Sequence, residues 1–235
     1  MEERKTRTQM LLGKEAVDSI SNKHVAVFGI GGVGSFCAEA LARAGVGHLT
    51  LVDDDCVSVS NINRQLIALT STVGQNKTDV MAKRIFDINP HCNVTVITKR
   101  YSEETRELFF SLPMDYIADC IDSVSCKTDL IASAIDRHVP IISAMGTGNK
   151  LDPSKFMITD LSKTSGCPLA RVMRRELKKQ GILHHTVLYS TEPALKPLFQ
   201  PEEGKQCPGS VSWVPSCAGL MIAGHIIKSL IQNNA

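Results

Sequence analysis

Short apolar runs alternate with longer amphipathic ones along the first 150 residues. Residues 24–29 (HVAVFG), 48–53 (HLTLVD), 93–98 (NVTVIT), 114–120 (MDYIADC) and 139–145 (VPIISAM) are apolar and mostly rich in β-branched side chains. Each has strand length and is too short for a buried helix. Between them, residues 35–45, 61–68, 77–89 and 122–138 show helical spacing, and Pro90 stops the third of these. Strands that alternate with helices predict an α/β fold whose mostly parallel sheet is covered on both faces. Beyond residue 150 the pattern loosens. Strands are expected at 155–161 and 186–190, and a helix over 168–181 closed by Gly181. A long exposed loop is expected over 192–209, which carries Pro193, Pro197, Pro201 and Pro208. We read one domain over 1–235, with a core at about 20–150 and a C-terminal α/β extension at about 151–235.

The most apolar stretch is residues 217–231 (CAGLMIAGHIIKSLI), which includes His225 and Lys228. A span needs about 20 apolar residues, so a buried core or interface helix is expected and no membrane span. The first residues, MEERKTRTQMLLGKEA, hold charges but no continuous apolar core, so no secretory signal is expected. Eight cysteines, none two residues apart, give no CxxC pair, and hence no structural zinc is expected. Free thiols in a cytoplasmic protein follow.

Chemistry first shows in the loop after the first strand. Gly29-Ile30-Gly31-Gly32-Val33-Gly34 fits GxGxxG, between a strand and a helix. Its glycines let backbone amides approach a phosphate, and the helix adds the positive end of its dipole. Asp53 ends the second strand, where an acid can accept bonds from ribose hydroxyls. This fingerprint alone allows an NAD enzyme. The next segment argues for a triphosphate instead. Arg64 and Lys77 supply cations for phosphate oxygens, and Asp122, in Asp119-Cys120-Ile121-Asp122, supplies a carboxylate for Mg²⁺. A dehydrogenase needs no such set. Overall charge does not choose between substrates. Lys and Arg number 26 against 24 acids, a balance of +2, which gives no bulk attraction to nucleic acid but permits a local basic patch.

These motifs together resemble the ubiquitin-activating-type adenylyltransferases, the ThiF/MoeB superfamily. The residues that carry the resemblance are GIGGVGS, the DDDxVxxSNxNRQ run from Asp53 to Gln65, Lys77, DCIDSV, and the leader Arg4-Lys5-Thr6-Arg7. The resemblance implies a Rossmann-like ThiF-type fold that binds ATP and Mg²⁺. Gly29, Gly31, Gly32, Gly34, Asp53, Asp55, Asn61, Arg64, Gln65, Lys77 and Asp122 would contact the nucleotide, with Asp122 on the metal. Arg64, Lys77 and Asp122 would carry the catalysis. It also implies a homodimer, in which Arg7 reaches the partner's nucleotide; a solvated terminus is the other reading of Arg4 and Arg7. Most of the superfamily activates the C-terminal glycine of a sulfur-carrier or ubiquitin-like protein, which keeps that activity, and a sulfur-relay or carrier partner, as the alternative.

The second half resembles one branch, the tRNA threonylcarbamoyladenosine dehydratases. The resemblance lies in residues 145–153 (MGTGNKLDP), 160–164 (DLSKT), 167–174 (CPLARVMR), 189–192 (YSTE) and 208–212 (PGSVS). It implies ATP-dependent closure of a ring on an adenosine beside the tRNA anticodon. On a tRNA substrate, Arg171, Arg174, Arg175 and Lys178, which share a helix face, become candidates for tracking phosphates, and Lys150, Lys155 and Lys163 would extend them. Without tRNA this is a solvated face. Cys167, before Pro168, is read as packing or capping in preference to a thioester nucleophile. His184 and His185 are adjacent and need not point the same way. Trp213, the one tryptophan, is expected in the core in preference to stacking on a base.

Overall fold

In the computed structural model, residues 3–200 and 207–232 are described. Among them, one sheet of seven strands runs through both portions of the chain, in the order β3-β2-β1-β4-β5-β7-β6. The strands are β1 (His24–Phe28), β2 (His48–Val52), β3 (Asn93–Ile97), β4 (Tyr116–Asp119), β5 (Ile141–Ala144), β6 (Phe156–Asp160) and β7 (Thr186–Ser190). All neighbours pair in parallel except β6, which runs antiparallel to β7. The helices are α1 (Thr6–Leu12), α2 (Lys14–Ile20), α3 (Gly34–Ala44), α4 (Lys77–Ile88), α5 (Arg106–Phe110), α6 (Val124–Asp136), α7 (Pro168–Lys179) and α8 (Trp213–Gln232).

The period-two alternation of β1 divides its side chains between two cores. Val25 and Val27 join a layer built with Leu41 of α3, Met81 of α4 and Ile222 and Ile226 of α8. Ala26 and Phe28 face the other layer, with Leu130 of α6, Met173 of α7 and the rings of Tyr101 and Phe109. Because both faces are covered, β1 and β4 are buried along their whole length, which is why they read as continuous apolar runs. The chain leaves β1 for β2 on one side and returns to β4 on the other. The order reverses there, and a crevice opens at the carboxyl ends of β1 and β4.

Several elements differ from the expectation. The helix expected at 61–68 is only a 3₁₀ turn (Val59–Asn61) followed by irregular turns. Polar side chains there compete for the backbone: Asn61 Oδ1 accepts from Ser58 N (3.1 Å), and Asn63 Nδ2 donates to Ser210 O (3.0 Å). The short helices α1, α2 and α5 were not foreseen; α2 buries only Val17 and Ile20, too few to print a period. The last helix runs 20 residues, not 15, and is long and apolar enough by length and composition to cross a bilayer. Half of that apolar stretch is buried inside the fold, on α3 and the sheet, so packing marks it as a core helix where length does not. Trp213 is not in the core. It starts α8 half-exposed, with Nε1 donating to Leu151 O at 2.7 Å.

Candidate nucleotide-binding cleft

The crevice is a cleft of about 780 Å³. Its floor is the turn after β1. Gly29 has φ of +87°, and a Cβ there would lie 2.7 Å from the Cys120 carbonyl oxygen; one at Gly34 would lie 1.7 Å from Gly29 O. Only glycine lets this turn lie so close to the end of β4, with α3 starting directly behind it.

Asp53, at the end of β2, braces the turn. Its Oδ2 accepts from Ile30 N (2.6 Å) and its Oδ1 from Asp55 N (2.9 Å). Burial pushes its carboxyl above the usual aspartate range, against the pull of Lys77 and of the two amides. Lys77, at the start of α4, is itself buried, with Nζ 2.6 Å from Asp55 Oδ2 and 3.7 Å from Asp53 Oδ1. Arg64 is half-buried and donates through Nη1 to Ser60 O and Asn63 Oδ1, both at 3.0 Å. Gln65 is buried beside Gly31, and its Oε1 has no hydrogen-bond partner. An orphaned buried polar atom on the wall of an open cleft fits a ligand that brings its own polar groups.

The structure thus brings Gly29, Gly31, Gly32, Asp53, Asp55, Asn61, Arg64, Gln65, Lys77 and Asp122 to one cleft. Gly34 lies just behind it. Arg7 does not line it; it is exposed on α1. Among the described residues, the carboxylates that cluster are Asp53, Asp54 and Asp55, with oxygens within 4.8 Å of one another; Asp122 stands outside that group, exposed on the same cleft. Oxygen donors of this kind suit a hard cation such as Mg²⁺.

Sequence reasoning missed Lys99, Arg100 and Tyr101, which follow β3 and also line the cleft. Two cations immediately after a strand were the available signal. The guanidinium of Arg100, drawn to the Cys126 thiol and to Asp54 and Asp122, holds its proton more firmly than usual. Ser210 and Pro215 bring the C-terminal portion to the same cleft, and a Cβ on Gly32 would lie 3.2 Å from Pro215.

The basic residues of the second half lie outside it. On α7, Ala170, Met173 and Leu177 are buried, while Arg171, Arg175 and Lys178 are exposed. Arg174 is half-buried and tied by Nη1 to Thr164 O (2.9 Å) and Thr164 Oγ1, so one of the four expected surface cations is anchored. Lys155 and Lys163 are exposed, but Lys150 is buried and donates to the Glu192 carbonyl, which removes it from any basic surface. Cys167 is buried at the N-cap of α7, away from the cleft. Cys120 does line the cleft, but burial pushes its thiol up to about 12, which keeps it protonated. The two histidines diverge, His184 toward Asp160 (3.3 Å) and His185 toward Ser143 Oγ (2.8 Å).

A parallel sheet with a glycine turn and a charged cleft at its switch point defines a nucleotide-binding α/β protein, and residues 3–235 match the ThiF family. The chain is 44% identical to the tRNA threonylcarbamoyladenosine dehydratase of Bacillus subtilis (strain 168), over 97% of its own length and 94% of the relative's. It superposes on the crystal structure of the E. coli tRNA N6-threonylcarbamoyladenosine dehydratase TcdA in complex with ATP with a TM-score of 0.91. That match has 36% identity and covers 99% of this chain and 95% of the other. The molybdopterin-synthase adenylyltransferase of Salmonella typhimurium is 36% identical over only 55% of this chain and 51% of its own. The chain therefore belongs to the ThiF family and, within it, to the tRNA threonylcarbamoyladenosine dehydratases.

Proposed function

We infer that this protein uses ATP to cyclise N6-threonylcarbamoyladenosine beside the tRNA anticodon. The observation that supports this most is full-length likeness to dehydratases of that name, one of them crystallised with ATP and with AMP, joined to a cleft whose charges suit a triphosphate.

The chemistry runs in two steps. The threonyl carboxylate attacks the α-phosphorus of ATP, and pyrophosphate leaves. A nucleophilic atom of the same threonylcarbamoyl group then attacks the acyl carbon, and AMP leaves. The nucleoside loses one water overall. The first step needs no general base, because a carboxylate is already the nucleophile. Arg64 and Lys77 stabilise the charge that builds on the phosphate oxygens. The amides after Gly29 and the α3 N-terminus hold phosphate, Asp53 and Asn61 position the nucleotide, and Gln65 offers its unpartnered Oε1 as an acceptor. Asp122 would hold Mg²⁺, with Asp55 at the neighbouring carboxylate cluster. When bound, Mg²⁺ neutralises phosphate charge. The second step is intramolecular, so orientation lowers much of its barrier. No enzyme thioester is needed, consistent with a buried Cys167 and a protonated Cys120.

The whole chain works as one ATP-binding unit, its 151–235 portion facing substrate. The exposed cations Arg171, Arg175 and Lys178 of α7 contact tRNA phosphates, with Arg174 anchoring the helix. Two copies form the active enzyme, each Arg7 reaching the other's cleft. Met10 and Leu11 on α1, 79% and 88% exposed, are apolar surface that a second copy would cover. A tRNA substrate and eight free thiols fit the cytoplasm. Ring closure within one nucleoside uses no carrier protein, and the adenylyltransferase relative matches only about half the chain.

The test is to incubate the protein with ATP, Mg²⁺ and threonylcarbamoylated tRNA and to measure the nucleoside mass. A product lighter by one water is expected. An unchanged nucleoside, with ATP bound, overturns the reading, and ATP–pyrophosphate exchange that depends on a carrier with a Gly-Gly terminus favours the alternative.

A further inference from the structure

We propose that Asp119, seated by its buried partner Lys127, is a positioning residue for Asp122 through the backbone hydrogen bond that its second oxygen accepts. The proposal rests on the adenylation reading, which makes Asp122 the metal-holding carboxylate. Both side chains of the pair are fully buried, with Lys127 Nζ 2.7 Å from Asp119 Oδ2. Neither lines the cleft, so neither touches a nucleotide there. What they touch is the segment that carries Asp122. Asp119 is the last residue of β4, and its second oxygen, Oδ1, accepts from Ile121 N at 3.1 Å. Lys127 sits in the first turn of α6, where its own amide donates to Ser123 O at 2.9 Å.

The four-residue link from Cys120 to Ser123 is therefore clamped at both ends. The ion pair fixes the start of α6 to the end of β4, and the Ile121 bond fixes the turn between them. Asp122 is the exposed residue inside that clamp. Two buried charges are a poor device for stability alone, since an apolar pair of similar volume commonly serves as well or better. Direction is what a charge pair with a spare acceptor adds. Its remaining oxygen holds one backbone amide, and so sets where the next side chain emerges. A carboxylate displaced by about 1 Å from its task costs about 10- to 100-fold in rate.

The experiment compares two double variants in the full-length chain. Asp119→Asn with Lys127→Met removes both charges but keeps an oxygen acceptor for Ile121 N. Asp119→Leu with Lys127→Met removes both charges and the acceptor. Thermal unfolding, kcat for AMP formation, KM for ATP and the half-saturating Mg²⁺ concentration are measured for each. The Asn variant is expected to stay within about threefold of wild type in kcat and Mg²⁺ dependence. The Leu variant is expected to fold, to lose about tenfold or more in kcat, and to need several-fold more Mg²⁺ at a nearly unchanged KM for ATP. A folded Leu variant with wild-type kcat and Mg²⁺ dependence overturns the proposal. Should the Leu variant not fold, Asp119→Ala with Lys127→Met, which removes the acceptor without added bulk, takes its place with the same two outcomes, and an Asn variant impaired by more than about threefold overturns the proposal as well. A wild-type chain that makes no AMP fails the functional reading itself, before any variant is compared.

Discussion

The two portions of the chain use their charges in opposite directions. Up to about residue 150, four charged groups turn inward around the cleft: Asp53 and Lys77 are sunk in it, and Asp119 and Lys127 are wholly buried behind it. Each has a fixed partner, Lys77 with Asp53 and Asp55 and Lys127 with Asp119, at the carboxyl ends of parallel strands. Beyond residue 150, Arg171, Arg175 and Lys178 of α7 turn outward, and the buried His185 is held neutral inside. Inward charges in fixed pairs suit chemistry on a small charged group, because the reorganisation is done before the substrate arrives. Outward charges on long side chains suit a large, hydrated polyanion whose affinity depends on salt.

The contrast breaks most sharply at Asp122. Asp122→Ala should lower AMP formation by about 100-fold or more while the melting temperature stays nearly that of wild type, since an exposed carboxylate is lost and no core volume. Release of AMP and pyrophosphate, read beside thermal unfolding, checks both halves of that statement. Near-normal turnover would mean that the Asp53–Asp55 cluster suffices.

His185 tests whether the second portion really keeps charge out of its interior. Its imidazole, ordinarily near 6.5, is lowered to about 4, by burial first and then by the charge of Lys127, against a weaker pull from Asp160. Above pH 6.5 it is neutral whether folded or unfolded. Between 6.5 and about 4 the unfolded chain takes up a proton that the folded chain refuses, so stability falls as the pH drops, by up to about 3 kcal/mol. Thermal melts of His185→Asn should show a shallower acid limb than wild type. Identical acid limbs would show that the histidine does not charge on unfolding there.

The smallest effect is expected on the outer face. Replacing Arg171, Arg175 and Lys178 together by Gln should raise the KM for tRNA by about tenfold and flatten its dependence on salt, because each lost phosphate contact removes a released counterion. ATP affinity should not move. If tRNA is processed normally at every salt concentration, α7 is an ordinary solvated helix and the contrast fails on its outer side.

How legible each part was follows from how local its cause is. The glycine turn, Asp53 and the strands around them are determined by residues close in sequence, and their spacing carried them. The 61–68 segment misled because its apolar spacing is helical while Asn61 and Asn63 divert backbone bonding elsewhere, one of them to Ser210 nearly 150 positions away. Trp213 misled for the opposite reason: an aromatic beside an apolar helix reads as core, but its indole N–H found the Leu151 carbonyl at the surface. Lys150 looked like surface charge until its partner, the Glu192 carbonyl, came from another loop. Lys99 and Arg100 were overlooked because nothing in their immediate surroundings says that β3 ends beside β2, at the same crevice.

Residue types and their short-range spacing were enough to announce an α/β sheet, a glycine turn after its first strand, cations that gather at that turn and a basic helix, since each is a pattern within a few turns of chain. Which charges ended inside and which outside was settled only by folding. Burial is a property of what the rest of the chain lays over a residue, and Lys127, Lys150 and Arg171 are alike until the sheet, α6, α7 and the Glu192 loop close around two of them and leave the third in water.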